Sequence, residues 1–289
     1  MNIIGTGLSG LVGSRVVELL SKKYSFTNLS LETGIDITKP GVAAQHIAAS
    51  AAPWVFHFAA MTDVDGAEKE RSLGEASVSW KVNVLATNYV AEAAKASGKK
   101  LLYISTDFVF DGTKGGYTEE DAPNPQGWYA VTKFEGEKIV SRNAKHLIIR
   151  IANPYAANPI RPDFIHKIMG RLSASEPVTA PDDQVFIPTF VDDVALAIDA
   201  LVAKDAQGLY HVVGSSALSP FAVSQKIADL FGWNKDLISP IAFSRFFAGR
   251  APRPFSAALK NDKITKLGVH MSSFDTGLKT MKTQEETRP

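Results

Sequence analysis

Over about the first 150 of the chain's 289 residues, short apolar runs alternate with longer stretches whose apolar positions recur at helical spacing. Asn2–Gly5 reads as a strand and Gly10–Leu20 as the helix after it. Phe26–Leu31 and Trp54–Phe58 read as further strands, and Ala76–Ser97 as a long helix stopped by Gly98. Lys100–Ser105 is a fourth strand, Tyr129–Arg142 a helix and His146–Ile151 a fifth strand. Strands apolar on both faces, each followed by a helix, predict a parallel sheet covered on both sides. The fold class is therefore α/β, a Rossmann-type doubly wound parallel sheet.

Beyond Ala152 the pattern loosens. Asn153, Pro154, Asn158, Pro159 and Pro162 interrupt it. Helices are expected at Asp163–Leu172, Val191–Val202, Pro220–Phe231 and Asn261–Leu267, with a strand at Leu209–Val213. This divides the chain into a nucleotide-binding domain, 1–152, and a smaller, discontinuous substrate-binding lobe, 153–282. Segments around 187–213 are expected to return to the first domain. The polar tail 283–289 is expected to fray.

Composition narrows the chemistry. Lys and Arg number 31 against 30 Asp and Glu, so no charge imbalance points to nucleic acid or an anionic membrane. No cysteine is present, which excludes disulfides, thiolate nucleophiles and thiolate-bound metals. His46, His57, His146, His166, His211 and His270 show no metal-ligand spacing, so no metal site is expected. No run is long enough to span a membrane, and the N-terminus lacks signal-peptide features; a cytoplasmic location is the expectation.

Two features carry candidate chemistry. Gly7, Gly10 and Gly13 form G-x-x-G-x-x-G between the first strand and its helix, with Leu11 and Val12 inside the turn. Glycines there admit a pyrophosphate to backbone N–H groups at the positive helix end. Glu32, near the end of the second strand, is the candidate for the ribose hydroxyls and leans the cofactor toward NADH over NADPH. Tyr129 and Lys133 lie four apart on one helix face. An ammonium beside the phenol is expected to lower its pKa, so that it exchanges protons near neutral pH. Ser105-Thr106-Asp107 closes the fourth strand at the carboxyl edge, where open α/β sheets bind ligands.

With these residues in place the chain resembles the extended short-chain dehydrogenase/reductases, and within them the dTDP-4-dehydrorhamnose reductases. The matching segments are Ile35–Thr38, His57–Asp65, Val82–Val84, Ser105–Gly112, Tyr129 with Lys133–Glu137, Asp183-Gln184 with Pro188-Thr189, and Arg253-Pro254 with Ser256. The resemblance implies that Thr106, Tyr129 and Lys133 are the catalytic triad. It implies that Asp36 and Ile37 line an adenine pocket, and that Phe58, Ala59, Ala60 and Thr62 run along the pyrophosphate and ribose. Asn83 supports the active-site helix, and Ser105 belongs to the cofactor site. Asp107, Val109, Asn153, Gln184, Thr189 and Arg253 are the implied contacts to a nucleotide-sugar substrate. The implied reaction is NAD(P)H-dependent reduction of a keto group on such a sugar, and a homodimer is compatible with that reading. Two alternatives stay open: an epimerase or dehydratase with tightly held NAD, and a regulatory subunit of the same fold, like the beta subunit of methionine adenosyltransferase. The chain departs from the resemblance at Gly5, where an aliphatic residue is usual, in the stretch Ile151–Tyr155, which lacks a tryptophan, and at Val185-Phe186. Val191–Ala195 looks more like the wider epimerase and dehydratase group.

Overall fold

The computed structural model describes residues 1–287. Its first half contains β1 (Asn2–Thr6), α1 (Leu11–Leu20), β2 (Ser25–Leu29), α2 (Val42–Ala49), β3 (Trp54–His57) and α3 (Val64–Lys69). Next come α4 (Val78–Trp80), α5 (Thr87–Ala96), β4 (Lys100–Thr106), α6 (Trp128–Val140) and β5 (His146–Ile151). The second half contains β6 (Pro154–Tyr155), α7 (Phe164–Ser173), β7 (Val178–Pro181), β8 (Thr189–Phe190), α8 (Val191–Ala203) and β9 (Gly208–His211). It ends with α9 (Pro220–Phe231), β10 (Ile238–Ile241), α10 (Phe243–Phe246), α11 (Asp262–Thr265) and α12 (Phe274–Thr287).

Six strands form one parallel sheet in the order β2-β1-β3-β4-β5-β9. Successive strand residues feed opposite faces. Ile3, Phe56 and Leu102 pack with Val16 of α1 and Ile198 of α8, while Ile4, Val55 and Leu101 pack with Ile47 of α2 and Val90 of α5. The chain leaves β1 toward β2 on one side and finds β3 on the other. This reversal opens a crevice at the carboxyl ends of β1 and β3. Gly5 lies between those neighbours, and a Cβ there would come within 2.7 Å of the Phe56 carbonyl oxygen, so this departure follows from strand packing.

A second core gathers Tyr155, Ile165, Phe186, Phe190, Ile227, Phe274 and Leu278, with the small pairs β10-β7 and β6-β8 beside it. Helix α8 packs against the face of α1, and β9 is the sheet's sixth strand. Among the described residues, no helix is long and apolar enough to cross a membrane.

Three local expectations are corrected. The helix foreseen over Ala76–Ser97 starts after Ser77, whose hydroxyl accepts the Trp80 N–H, and it passes through a π-helical segment, Lys81–Ala86. Helices α2 and α3 fall in stretches not read as helical. The expected frayed tail continues α12 to Thr287, because the Gln284 side chain pairs with Arg15 and Asp192 and Glu285 accepts from His166; residues 288 and 289 lie outside the described residues.

Candidate functional site

At the crevice the chain turns sharply. Gly7 holds φ +66°, a conformation costly for any residue with a side chain, and a Cβ on it would run into the Ala59 backbone. Gly13 sits so close to the turn that a Cβ would lie 2.6 Å from Leu8 Cα. Gly10 is the N-cap of α1 and supplies no side chain, so the first-turn amides have no side-chain acceptor. Its own missing Cβ would meet only the Gly7 carbonyl, at 3.3 Å. The turn therefore keeps both space and donors for an anion.

A cleft of about 410 Å³ runs from this turn across the sheet edge. Gly7, Gly10, Leu11, Val12, Gly13, Phe58, Ala60, Thr62, Ser105, Thr106, Asp107, Tyr129, Lys133 and Asn153 line it together, although they come from segments far apart in sequence. Val64, Ile104, Phe108, Ile151 and Pro154 also line it and were not foreseen. A second cavity of about 270 Å³ adjoins it, sharing Asp107, Phe108 and Asn153. Gln184 and Arg253 line this second cavity, with Phe164, Phe246 and Phe247 among the apolar residues around them. The aromatics of Phe243–Phe247, beside Arg250 and Arg253, were the available sequence signal for this wall.

Other expected residues stand elsewhere. Glu32 is exposed on a 3-10 turn, Leu31–Thr33, because β2 ends at Leu29, short of the expected Leu31. Asp36 accepts from the Thr38 amide and hydroxyl, and Ile37 is buried in the core; neither is among the residues that line this cleft. Ala59 packs at the edge of that core. Asn83 is fully buried: its amide accepts from Met61 N and donates to Met61 O and the Thr132 hydroxyl, which ties the cleft-side loop to α6. Val109 and Thr189 are corrections to the expected substrate contacts. Val109 is packed in the core with Phe110 and Tyr117, and Thr189 is fully buried with its hydroxyl accepting the Gly214 N–H.

The reactive residues meet where β4 ends against α6. Thr106 donates to Asp107 Oδ1 at 3.1 Å and accepts the Phe108 N–H at 3.2 Å, capping the turn Asp107–Val109. Burial pushes the Asp107 carboxyl up to about 7, opposed by the Thr106 hydroxyl. Lys133 donates to the Ile104 carbonyl at 2.7 Å, and burial brings its ammonium down to about 7 against the opposing charge of Glu137. Burial also drives the Tyr129 phenol well above its ordinary range, despite the Thr106 hydroxyl beside it. The expected lowering of the Tyr129 pKa by Lys133 is therefore not found: desolvation of the phenolate dominates, and Tyr129 is a neutral phenol. The Ser105 hydroxyl is buried on the cleft wall without a hydrogen-bond partner among the described residues. An uncapped helix end, open space at Gly10 and this unpaired hydroxyl all fit a bound dinucleotide.

Fold and site define an extended short-chain dehydrogenase/reductase, a class of NAD(P)-dependent oxidoreductases. The chain belongs to the family described as the RmlD substrate binding domain, which matches residues 1–287. It is 30% identical to a dTDP-4-dehydrorhamnose reductase of Mycobacterium tuberculosis over 275 residues, covering 92% of this chain and 87% of the relative. It is 32% identical over 208 residues to methionine adenosyltransferase 2 subunit beta of Mus musculus, covering 69% of this chain and 62% of that protein. The crystal structure of dTDP-4-dehydrorhamnose reductase from Bacillus anthracis in complex with NADP superposes with a TM-score of 0.89 at 28% identity, covering 98% of this chain and 99% of that one.

Proposed function

We propose that the protein reduces a keto group on a nucleoside-diphosphate sugar, as the reductase relatives' names say of them, with NAD(P)H as the reductant. One observation carries the reading: Thr106, Tyr129 and Lys133 converge on the cleft beside Asp107, Phe108 and Asn153, the residues shared with the second cavity. Gly7–Gly13 would hold the NAD(P)H, which when bound would supply the hydride taken up by the carbonyl carbon and be left as NAD(P)+. Tyr129 gives its phenolic proton to the carbonyl oxygen, and the product is the alcohol. Thr106 orients that oxygen by a hydrogen bond. Lys133 holds the ribose hydroxyls and the charge balance around the phenolate left behind. The second cavity takes the nucleotide, with Gln184 and Arg253 as its polar contacts; the fork of Arg253 suits a diphosphate.

The test is oxidation of NADPH and of NADH against a panel of nucleotide-linked 4-keto sugars. Turnover with a dTDP-linked 4-keto sugar is expected. A protein that binds the cofactor yet turns over none of the panel overturns the reading. The likeness to methionine adenosyltransferase 2 subunit beta favours one second reading, a regulatory subunit that binds an enzyme partner. That reading predicts no turnover in the wild type and partner binding that survives Tyr129→Phe.

A further inference from the structure

The substrate-side loop is held by a residue of the cofactor domain. Asp65 lies on α3, next to Val64 on the cleft wall. Its Oδ2 accepts from Arg250 Nη2 at 2.7 Å, from Arg250 Nε at 3.1 Å and from Arg253 Nη2 at 2.9 Å. Its Oδ1 accepts the Ala251 N–H at 3.0 Å. One carboxylate thus binds two guanidinium groups and a main-chain amide within four residues of loop, across 185 positions of sequence. A single exposed ion pair would hold little, but shared donors and a main-chain bond fix a loop in one geometry.

The partners face different ways. Arg250 is half in solvent, and its guanidinium lies over the Phe247 ring at 5.2 Å. Arg253 is 11% exposed, lines the second cavity, and stacks over the same ring at 4.7 Å. Its Nη1 donates to the Ala251 carbonyl at 2.8 Å. These contacts leave its Nε–H and the second hydrogen on each terminal nitrogen for a ligand. One turn along α3, Glu68 Oε2 accepts the Trp128 N–H at 2.7 Å, at the start of α6, whose N-cap Gly127 has no side chain to offer. A single short helix thus touches the cofactor cleft, the first turn of the helix bearing Tyr129, and the loop bearing Arg253.

We propose that Asp65 is a positioning residue, which holds the loop 250–253 so that Arg253 is set in advance for the diphosphate of the substrate. The inference rests on the function proposed above and adds how its substrate is gripped. Pre-setting a long side chain lowers the cost of ordering it on binding, so its loss weakens binding. The reacting atoms lie at the other end of the substrate, so the saturated rate is unaffected.

The experiment uses the full chain with dTDP as the probe. In Asp65→Asn, hydrogen exchange at the Ala251 amide is expected to quicken about tenfold or more, and the calorimetric dTDP affinity to weaken by about tenfold. NADPH affinity should hold, and KM for an accepted keto sugar should rise with kcat little changed. Asp65→Glu should recover part of the loss and serves as the variant if the asparagine form does not fold. Arg253→Met and the double variant should weaken dTDP binding equally, since Asp65 acts through Arg253. Wild-type binding that Asp65→Asn leaves untouched, additive losses in the double variant, or a fall in kcat at constant KM each overturn this inference alone. A wild type that binds no nucleoside diphosphate overturns the substrate reading and this inference with it.

Discussion

Lys133, four residues after Tyr129 on α6, donates to the Ile104 carbonyl of β4 at 2.7 Å, with its ammonium 4.1 Å from the centre of the Tyr103 ring. The two residues share a helix face, yet the cation is anchored at the sheet edge, and burial keeps the phenol protonated. A neutral phenol is the form that a carbonyl reduction consumes. Tyr129→Phe preserves the ring and its edge contact with Phe108 while removing that proton. Single-turnover hydride transfer is expected to slow by about a hundred- to ten-thousand-fold, with sugar-nucleotide affinity nearly unchanged. Transfer at the wild-type rate would show that another group supplies the proton.

Gly10→Val tests the cofactor seat. The residue is exposed at the N-cap of α1, and its Cβ position faces open space apart from the Gly7 carbonyl. A branched side chain there should occupy the pyrophosphate's path without breaking the fold. NADPH binding, followed by fluorescence titration, is expected to fall below detection while the melting temperature moves little. Unaltered affinity in a folded variant rejects the placement.

The apolar rhythm made the main sheet readable because each strand is buried on both faces, so Ile3 and Ile4 both had to be apolar. The glycine turn was legible because Gly7 and Gly13 have no room for a side chain. Helix α3 was not legible: it is short and polar, with Gly66 inside it, and its role comes from partners about 60 and 185 residues away. Helix α12 carried a signal that went unread, Phe274, Leu278 and Met281 at one-face spacing, masked by polar neighbours. Val109 and Thr189 were misplaced because resemblance gives segments, whereas which way a side chain points is settled by packing.

Glu137 and Arg150 form a buried pair behind the site, with Nε–Oε1 at 2.8 Å and Nη2–Oε2 at 2.7 Å. Both side chains are almost wholly enclosed, at 6% and 3% exposure, so removing one charge strands the other. Glu137→Gln is expected to cost about 3–5 kcal/mol of stability by urea denaturation, whereas Glu137→Leu with Arg150→Met should cost much less. Equal losses in the single and double variants would mean the pair itself, and not the stranded charge, supplies the stability.

His166 joins α7 to the last turn of α12, with Nδ1 2.8 Å from Asp163 Oδ1 and Nε2 2.7 Å from Glu285 Oε1. Burial alone would lower its pKa, but the two carboxylates outweigh it and raise the imidazole from 6.5 to about 9. Below pH 6.5 the folded and unfolded chains both carry the proton, so the stabilisation is fully present. Between 6.5 and 9 only the folded chain keeps it, so this contribution falls as pH rises and is gone above 9. Lys133 slopes the other way from about pH 7 upward, because its folded pKa lies below its ordinary value. The decisive quantity is therefore the difference in melting temperature between wild type and His166→Gln. That difference is expected to be largest below pH 6.5 and to shrink steadily toward pH 9. A difference that stays constant over the interval means that Asp163 and Glu285 do not retain a proton on His166.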